Sequence, residues 1–195
     1  NSDGSILAIG APSNNGNGLK SGHVRIYKNI SGTWTKLGQD IDGESFGDES
    51  GTSISISNDG NTVAIGAPYN DGNGLNSGHV RVYNYNGTSW NQLGQDIDGE
   101  DSYNYSGYAV SLNSDGTIVA IGAHGNDGNG SDAGHVRIYN WTGTSWSQLG
   151  SDIDGEAAQD YSGEEVSLSA NGSRVAISAG GNDGINGTNS GHVRI

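Results

Sequence analysis

The sequence predicts an all-β protein of β-propeller-type blades, each of four antiparallel strands, in about 3.5 repeats of 56 residues. Three observations carry this. The chain repeats itself: Asp3-Gly4, Asp59-Gly60, Asp115-Gly116 and Asn171-Gly172 recur every 56 residues, as do Trp34, Trp90 and Trp146. Each unit holds four short runs of β-branched or alternating residues, and no segment has an apolar period of 3.6. Turn formers dominate, with 35 Gly against 2 Pro.

The elements follow in order along the unit that begins at Ser50. Ser53 to Ser57 is a strand in which Ile54 and Ile56 alternate with Ser. Asn58-Asp59-Gly60-Asn61 is a tight-turn sequence that folds it back as a hairpin. Thr62 to Ala67, β-branched and small, is the second strand. A Gly/Asn loop runs from Pro68 to Gly78. His79 to Tyr83 is the third strand, with Val80 and Val82 on one face and His79, Arg81 and Tyr83 on the other. Asn86-Gly87-Thr88 turns the chain into a fourth run, Ser89 to Gln95. Small residues on the first strand suit a crowded axis, and Tyr and Trp on the later strands suit a wider rim. The unit boundaries are 1–49 (partial), 50–105, 106–161 and 162–195 (partial). These make one segment of a repeat array within a longer chain, starting at a second strand and ending at a third.

Only 31% of residues are hydrophobic and the formal net charge is −14, a balance that taken alone favours disorder. Repetition overrides it, because a blade is covered on both faces by its neighbours and the core is spread between them. The same figures exclude several classes. No apolar run is long enough to span a membrane as a helix. The negative charge excludes nucleic acid as a partner. With no Cys there is no disulfide framework and no thiolate metal site. No targeting leader is visible.

The segments Ile9-Gly10-Ala11-Pro12, Ile65-Gly66-Ala67-Pro68 and Gly78-His79-Val80-Arg81-Val82-Tyr83 resemble the FG-GAP repeat of the integrin α-subunit propeller. Ser50-Gly51 stands where that pattern has an aromatic residue and Gly. His124 and Gly180 replace the Pro in the third and fourth units. The resemblance implies a propeller of four-stranded blades, and adhesion or ligand presentation at an extracellular or cell-surface location. The family often holds Ca²⁺ in the hairpin between the first two strands. Here that hairpin, Ser57 to Asn61, carries one acid at most, so that site is not transferred.

The acids concentrate elsewhere. The links between blades read Asp40-Ile41-Asp42-Gly43-Glu44, Asp96-Ile97-Asp98-Gly99-Glu100 and Asp152-Ile153-Asp154-Gly155-Glu156, followed at four residues by Asp48, Asn104 and Asp160. Together with the loop after the second strand, these put most carboxylates on one face of the disc. Acids at offsets 0, 2, 4 and 8 could wrap Ca²⁺, a hard cation that takes oxygen ligands. The alternative is inter-blade ion pairing. Each unit offers one His and one Arg at fixed places (His23 and Arg25, His79 and Arg81, His135 and Arg137, His192 and Arg194), on a strand face that a neighbouring blade should cover, and a buried Arg needs a carboxylate. The loop Asn70-Asp71-Gly72-Asn73-Gly74 and its equivalents form a second metal candidate, read first as turn chemistry. Its glycines precede a strand, not a helix, so it is not a phosphate cradle.

Because His and Arg repeat in register, they behave as scaffold residues. The residues that break the pattern, among them Phe46, His124, Trp141 and Arg174, yield no nucleophile–base set. The sequence therefore predicts a non-catalytic interaction or structural module, not an enzyme, whose partners are other protein copies, in a filament or assembly, or surface ligands. The alternatives are a calcium-dependent carbohydrate-binding module and a propeller glycoside hydrolase. Asn29, Asn86, Asn104, Asn129, Asn140, Asn171 and Asn186 begin glycosylation sequons.

Overall fold

In the computed structural model, which describes residues 1–184 and 187–195, the blades follow one another in chain order. The first contains β1 (Ile6–Ala11), β2 (His23–Ile30), β3 (Thr33–Lys36) and β4 (Ile41–Asp42). The second contains β5 (Ser53–Ile56), β6 (Thr62–Ala67), β7 (His79–Tyr85), β8 (Trp90–Gln92) and β9 (Ile97–Asp98). The third repeats it as β10 (Ala109–Leu112), β11 (Ile118–Ala123), β12 (His135–Trp141), β13 (Trp146–Gln148) and β14 (Ile153–Asp154). The fourth holds β15 (Ser162–Leu168), β16 (Val175–Ala179) and β17 (His192–Arg194). Every pairing between these strands is antiparallel; β1-β2-β3, β5-β6-β7-β8, β10-β11-β12-β13 and β15-β16-β17 are neighbours in chain order, while β4, β9 and β14 pair with β2, β7 and β12. No helix occurs among the described residues.

The hairpin turn forms as its residues dictate. Asp59 Oδ1 accepts from Asn61 N at 2.9 Å and from Ser57 Oγ at 2.6 Å, while Gly60 takes a φ of 77°.

One element departs from the sequence reading. Asp96-Ile97-Asp98 is not a free link. After β8 the chain kinks at Gly94 and returns to the other end of β7 as β9, pairing Val80 with Ile97 and His79 with Asp98. The fourth strand is thus split, with β8 on one end of β7 and β9 on the other. Burial drives the return, since Ile97 is 5% exposed and sits in the core.

The cores lie between blades. Ile6, Val24, Ile26 and Ile41 of the first blade pack with Val63, Ile65, Tyr83 and Trp90 of the second. Val80, Val82 and Ile97 of the second pack with Val110, Leu112, Val119, Ile121 and Tyr139 of the third. Close approach at the inner strands needs the Gly of Gly-Ala-Pro. A Cβ on Gly66 would lie 1.9 Å from the Gly107 carbonyl oxygen of the next blade, and one on Gly122 would lie 2.0 Å from that of Gly163. Ser55 Oγ accepts from Leu112 N at 2.8 Å and Ser111 Oγ from Leu168 N at 3.0 Å, so the inner-strand serines join blade to blade. At the outer strands, Trp90 Nε1 donates to Leu37 O at 2.8 Å and Trp146 Nε1 to Leu93 O at 2.9 Å.

Replacing Gly66 or Gly122 by Ala should force the blades apart and cost about 1–3 kcal/mol, as overpacking does. Replacing Trp90 by Phe should lose one hydrogen bond, about 1 kcal/mol, and leave part of the buried indole's space empty at a further cost. Urea unfolding midpoints measure both, and an unchanged midpoint for Gly122→Ala would mean that the blades do not meet along this line.

Candidate functional sites

Two arrangements on the loop face carry chemistry, one repeated and one not. The repeated one begins on the third strand of each blade. Alternation along β7 turns Val80 and Val82 one way and His79, Arg81 and Tyr83 the other, and all five are buried. Arg81 Nη2 donates to the main-chain carbonyl of Asp42 at 2.8 Å and Nη1 stands 3.3 Å from Glu44. Arg137 repeats this with Asp98 O at 2.6 Å and Glu100 at 3.5 Å, and Arg194 with Asp154 O at 2.6 Å and Glu156 at 3.9 Å. Each Arg therefore grips the link of the preceding blade. Its carboxylate partner is the Glu of that link, and the second Asp supplies only its backbone carbonyl. Arg25 differs. It makes two hydrogen bonds to Asp40 of its own link, at 3.0 and 2.9 Å, and its side chain is 43% exposed. With Lys36 also on it, Asp40 is held well below the usual carboxylate range, mainly by Arg25.

Beside each Arg lies the His. His79 Nδ1 is 3.6 Å from Asp96 Oδ2, and His135 Nδ1 is 3.6 Å from Asp152 Oδ2 and 3.9 Å from Glu100 Oε2. Burial, reinforced by the neighbouring Arg, lowers both imidazoles to a pKa of about 4, so both are neutral at pH 7. Among the described residues three groups could hold a metal ion: His23 with Asp40 and Asp42, Glu44 with His79 and Asp96, and Glu100 with His135 and Asp152.

These groups differ from the wrap expected along one link. In the second and third the Glu of one link meets the first Asp of the next, with a His added that the spacing of the acids did not foretell. Asp48 and Asp160 are buried turn-formers. Asp48 Oδ2 accepts from Ser45 N at 2.8 Å, and Asp160 Oδ2 from Ala157 N at 3.0 Å. Burial raises the carboxyls of Glu44 and Asp98, with neighbouring acids pushing the same way. In the Gly/Asn loop, Asp71 Oδ1 accepts from Asn76 N at 2.8 Å and Asn73 Nδ2 donates to Gly99 O at 2.8 Å, so it is turn chemistry. Between that loop and Glu44 opens a cleft of about 430 Å³, with His79 and Asp96 in its wall.

Among the sequons, Asn86, Asn129 and Asn171 are exposed, and Asn29 and Asn140 are half-buried in β2 and β12. Asn104 is a correction. It is 3% exposed and its Oδ1 accepts from Asp101 N and Asn126 Nδ2, which closes it to a glycan. Asn186 lies outside the described residues.

The unrepeated arrangement surrounds His124, at the end of β11. Tyr105 stacks on its ring at 5.3 Å with planes 12° apart, Tyr108 meets it edge-on at 4.3 Å, and Tyr161 stands 6.4 Å away. Tyr69 and Tyr103 extend the group through Tyr105 at 5.7 and 6.5 Å. Burial lowers the His124 pKa while Asp132 opposes the shift, and His124 Nδ1 is buried without a partner. The repeat does not require this composition. One repeat earlier, Tyr103, Tyr105, Tyr108 and His124 correspond to Gly47, Glu49, Thr52 and Pro68, and one repeat later to Gln159, Tyr161, Glu164 and Gly180. Tyr103 and Tyr105 hold φ of 62° and 55°, a region bulky side chains avoid. In the fourth unit Glu164 lies over Gly180 as Tyr108 lies on His124. The sequence held a signal for this site, three Tyr within six residues upstream of the Pro-to-His exchange, but their convergence needed the inner-strand geometry.

Comparison with known proteins supports the repeat and the fold. The FG-GAP repeat pattern matches residues 41–83. No curated protein matches the chain. Among solved structures, the periplasmic gluconolactonase PpgL of Pseudomonas aeruginosa overlays 91% of this chain with a TM-score of 0.53 at 14% identity. The tricorn protease overlays 91% of it with a TM-score of 0.49 at 8% identity. The chain spans 47% of the former and 14% of the latter.

These findings correct the functional expectation. A non-catalytic adhesion or assembly module was expected because His and Arg repeat in register. The gluconolactonase uses this blade architecture, so repetition does not separate scaffold from enzyme.

Arg81→Met should lose charge-assisted hydrogen bonds to the preceding link and about 1.5–3 kcal/mol. Arg25→Met, on an exposed side chain, should leave the unfolding midpoint unchanged. Equal effects in thermal or urea unfolding would show that Arg81 does not join the blades.

Proposed function

We propose that the chain contributes blades to a propeller hydrolase that acts on a sugar-derived ester or lactone at the Tyr105–Tyr108–His124 cluster. The observation that supports this is the departure from the repeat. Scaffold residues recur every 56 positions, whereas Tyr103, Tyr108 and His124 stand where the preceding repeat has Gly47, Thr52 and Pro68 and the following one has Gln159, Glu164 and Gly180, and Tyr105 recurs as Tyr161. Aromatic faces suit the C–H face of a sugar ring. The name of the gluconolactonase supplies the substrate class. The resemblance to it is one of fold, and the roles that follow rest on this chain's own residues.

His124 has the chemistry of a general base. A neutral imidazole takes a proton from water as the oxygen attacks the carbonyl carbon, and returns it to the ring oxygen when the C–O bond breaks. Tyr105 and Tyr108 position the ring and keep the imidazole partly dry. The groups around it are Tyr105, Tyr108, Tyr161 and, more remotely, Asp132.

Hydrolysis of δ-gluconolactone, followed by pH-stat and corrected for its spontaneous opening, tests this. His124→Ala should lower kcat by about 10²–10⁴-fold. Tyr108→Ala should act mainly on KM. Because the His124 pKa is lowered, activity should persist below pH 6.5 and fall only as acid protonates the imidazole. Full activity in His124→Ala, or no hydrolysis of any aldonolactone by the wild type, would overturn the assignment.

A further inference from the structure

The paired clusters of the second and third blades carry an inference independent of the hydrolase reading. We propose that each binds one divalent cation of the nitrogen-accepting kind, Zn²⁺ or Mn²⁺ in preference to Ca²⁺, between a blade and the link that precedes it.

The donors are built for it. The His135 side chain is 1% exposed, and its Nδ1 is buried with no hydrogen-bond partner. That nitrogen faces Asp152 Oδ2 at 3.6 Å and Glu100 Oε2 at 3.9 Å. Each carboxylate has its other oxygen fixed. Gln148 Nε2 donates to Asp152 Oδ1 at 2.5 Å, and Arg137 Nη1 stands 3.5 Å from Glu100 Oε1. The remaining oxygens face the imidazole. Two ligands each about 2.1 Å from a tetrahedral ion stand roughly 3.4 Å apart. The gap is too wide for a direct hydrogen bond and the right width for a shared ion.

The second blade repeats the ligand set, although the buried nitrogen of His79 without a partner is Nε2, not the Nδ1 that faces the acids. His79 Nδ1 is 3.6 Å from Asp96 Oδ2, Gln92 Nε2 holds Asp96 Oδ1 at 2.6 Å, and Glu44 completes the group. The first blade does not. Asp40, which should serve with His23, has both oxygens taken by Arg25 and one shared with Lys36. The preference follows from the donor set. Calcium takes oxygen, whereas imidazole with carboxylates suits zinc and manganese. The gripped outer oxygens match the second-shell contacts that orient metal ligands.

Untagged, chelator-stripped protein is titrated with Zn²⁺, Mn²⁺ and Ca²⁺ by calorimetry and with Co²⁺ by visible absorption. Two equivalents of Zn²⁺ should bind per chain, with Co²⁺ giving d–d bands, and Ca²⁺ should bind at least tenfold more weakly. Glu100→Gln and Asp96→Asn should each remove one equivalent, and Glu44→Gln with Glu100→Gln should remove both. Gln148→Leu should weaken one site about tenfold. Glu165→Gln, an exposed acid outside both groups, should change nothing. No binding of Zn²⁺, Mn²⁺ or Co²⁺, preference for Ca²⁺, or unaltered stoichiometry in the double variant would each overturn the proposal. Circular dichroism of every variant separates loss of a ligand from loss of fold.

Discussion

Backbone meeting backbone across the blade interface is the constraint on which the other features depend. At Gly10, Gly66 and Gly122 the next blade's carbonyl, from Gly51, Gly107 or Gly163, occupies the place of a side chain. That spacing lets Val, Ile and Ala close the inner gap, so a chain that is only 31% hydrophobic still buries an apolar core between successive blades. It also decides which polar groups the interface can accept. A serine hydroxyl fits beside a neighbouring strand and accepts its N–H, which explains why Ser55 and Ser111 occupy inner-strand positions that would otherwise call for bulk. Farther out the gap widens, and Trp90 and Trp146 span it with a ring and an N–H.

The electrostatics follow from the same closeness. A net charge of −14 is easiest to carry on a surface, yet links bearing acids pass directly over the interface. Arg81 and Arg137 enter it with their charges matched to a carbonyl and a Glu, and each lies over a tyrosine ring, 5.7 Å from Tyr83 and 5.6 Å from Tyr139. One Arg does not neutralise the local group. Glu44 is raised by its own burial and by Asp96, Asp48 and Asp98 in spite of Arg81. The interface therefore retains negative charge beside a neutral imidazole, which is the condition a cation relieves.

Much of the architecture was legible in the sequence. The 56-residue step, the Asn-Asp-Gly turn and the alternation of Val80 and Val82 against His79, Arg81 and Tyr83 set strand order, hairpin and face before any coordinates. What was not legible is how distant segments share space. The return of Ile97 to β7 is a tertiary burial effect that overrides a link-like composition of Asp and Gly. The pairing of Arg81 with Glu44, and not with the Asp carboxylates beside it, depends on reach between blades. The burial of Asn104 inverts the meaning of its sequon, because a sequence pattern carries no exposure. Around His124, five aromatic side chains drawn from three loops needed the inner-strand ends to bring them together.

Repetition and function are often treated as opposites, and this chain shows why that is too simple. A repeat distributes stability over every interface, so one blade can depart from the pattern while its neighbours hold the frame. Tyr103 and Tyr105 illustrate the consequence. Their positive φ recurs at Gly47, Glu49, Gln159 and Tyr161, and here the turn is held against the preceding loop by Tyr103 N to Leu75 O at 2.8 Å and Tyr105 N to Asn76 O at 3.1 Å. The same hydrogen bonds exist in register at Gly47 and Glu49, where no ring is presented. The scaffold is therefore indifferent to what the turn carries, and a conserved backbone path can present a charge in one blade and an aromatic surface against an imidazole in the next. In such a molecule the residues that recur explain why it folds, and the few that do not recur are where its chemistry has room to differ.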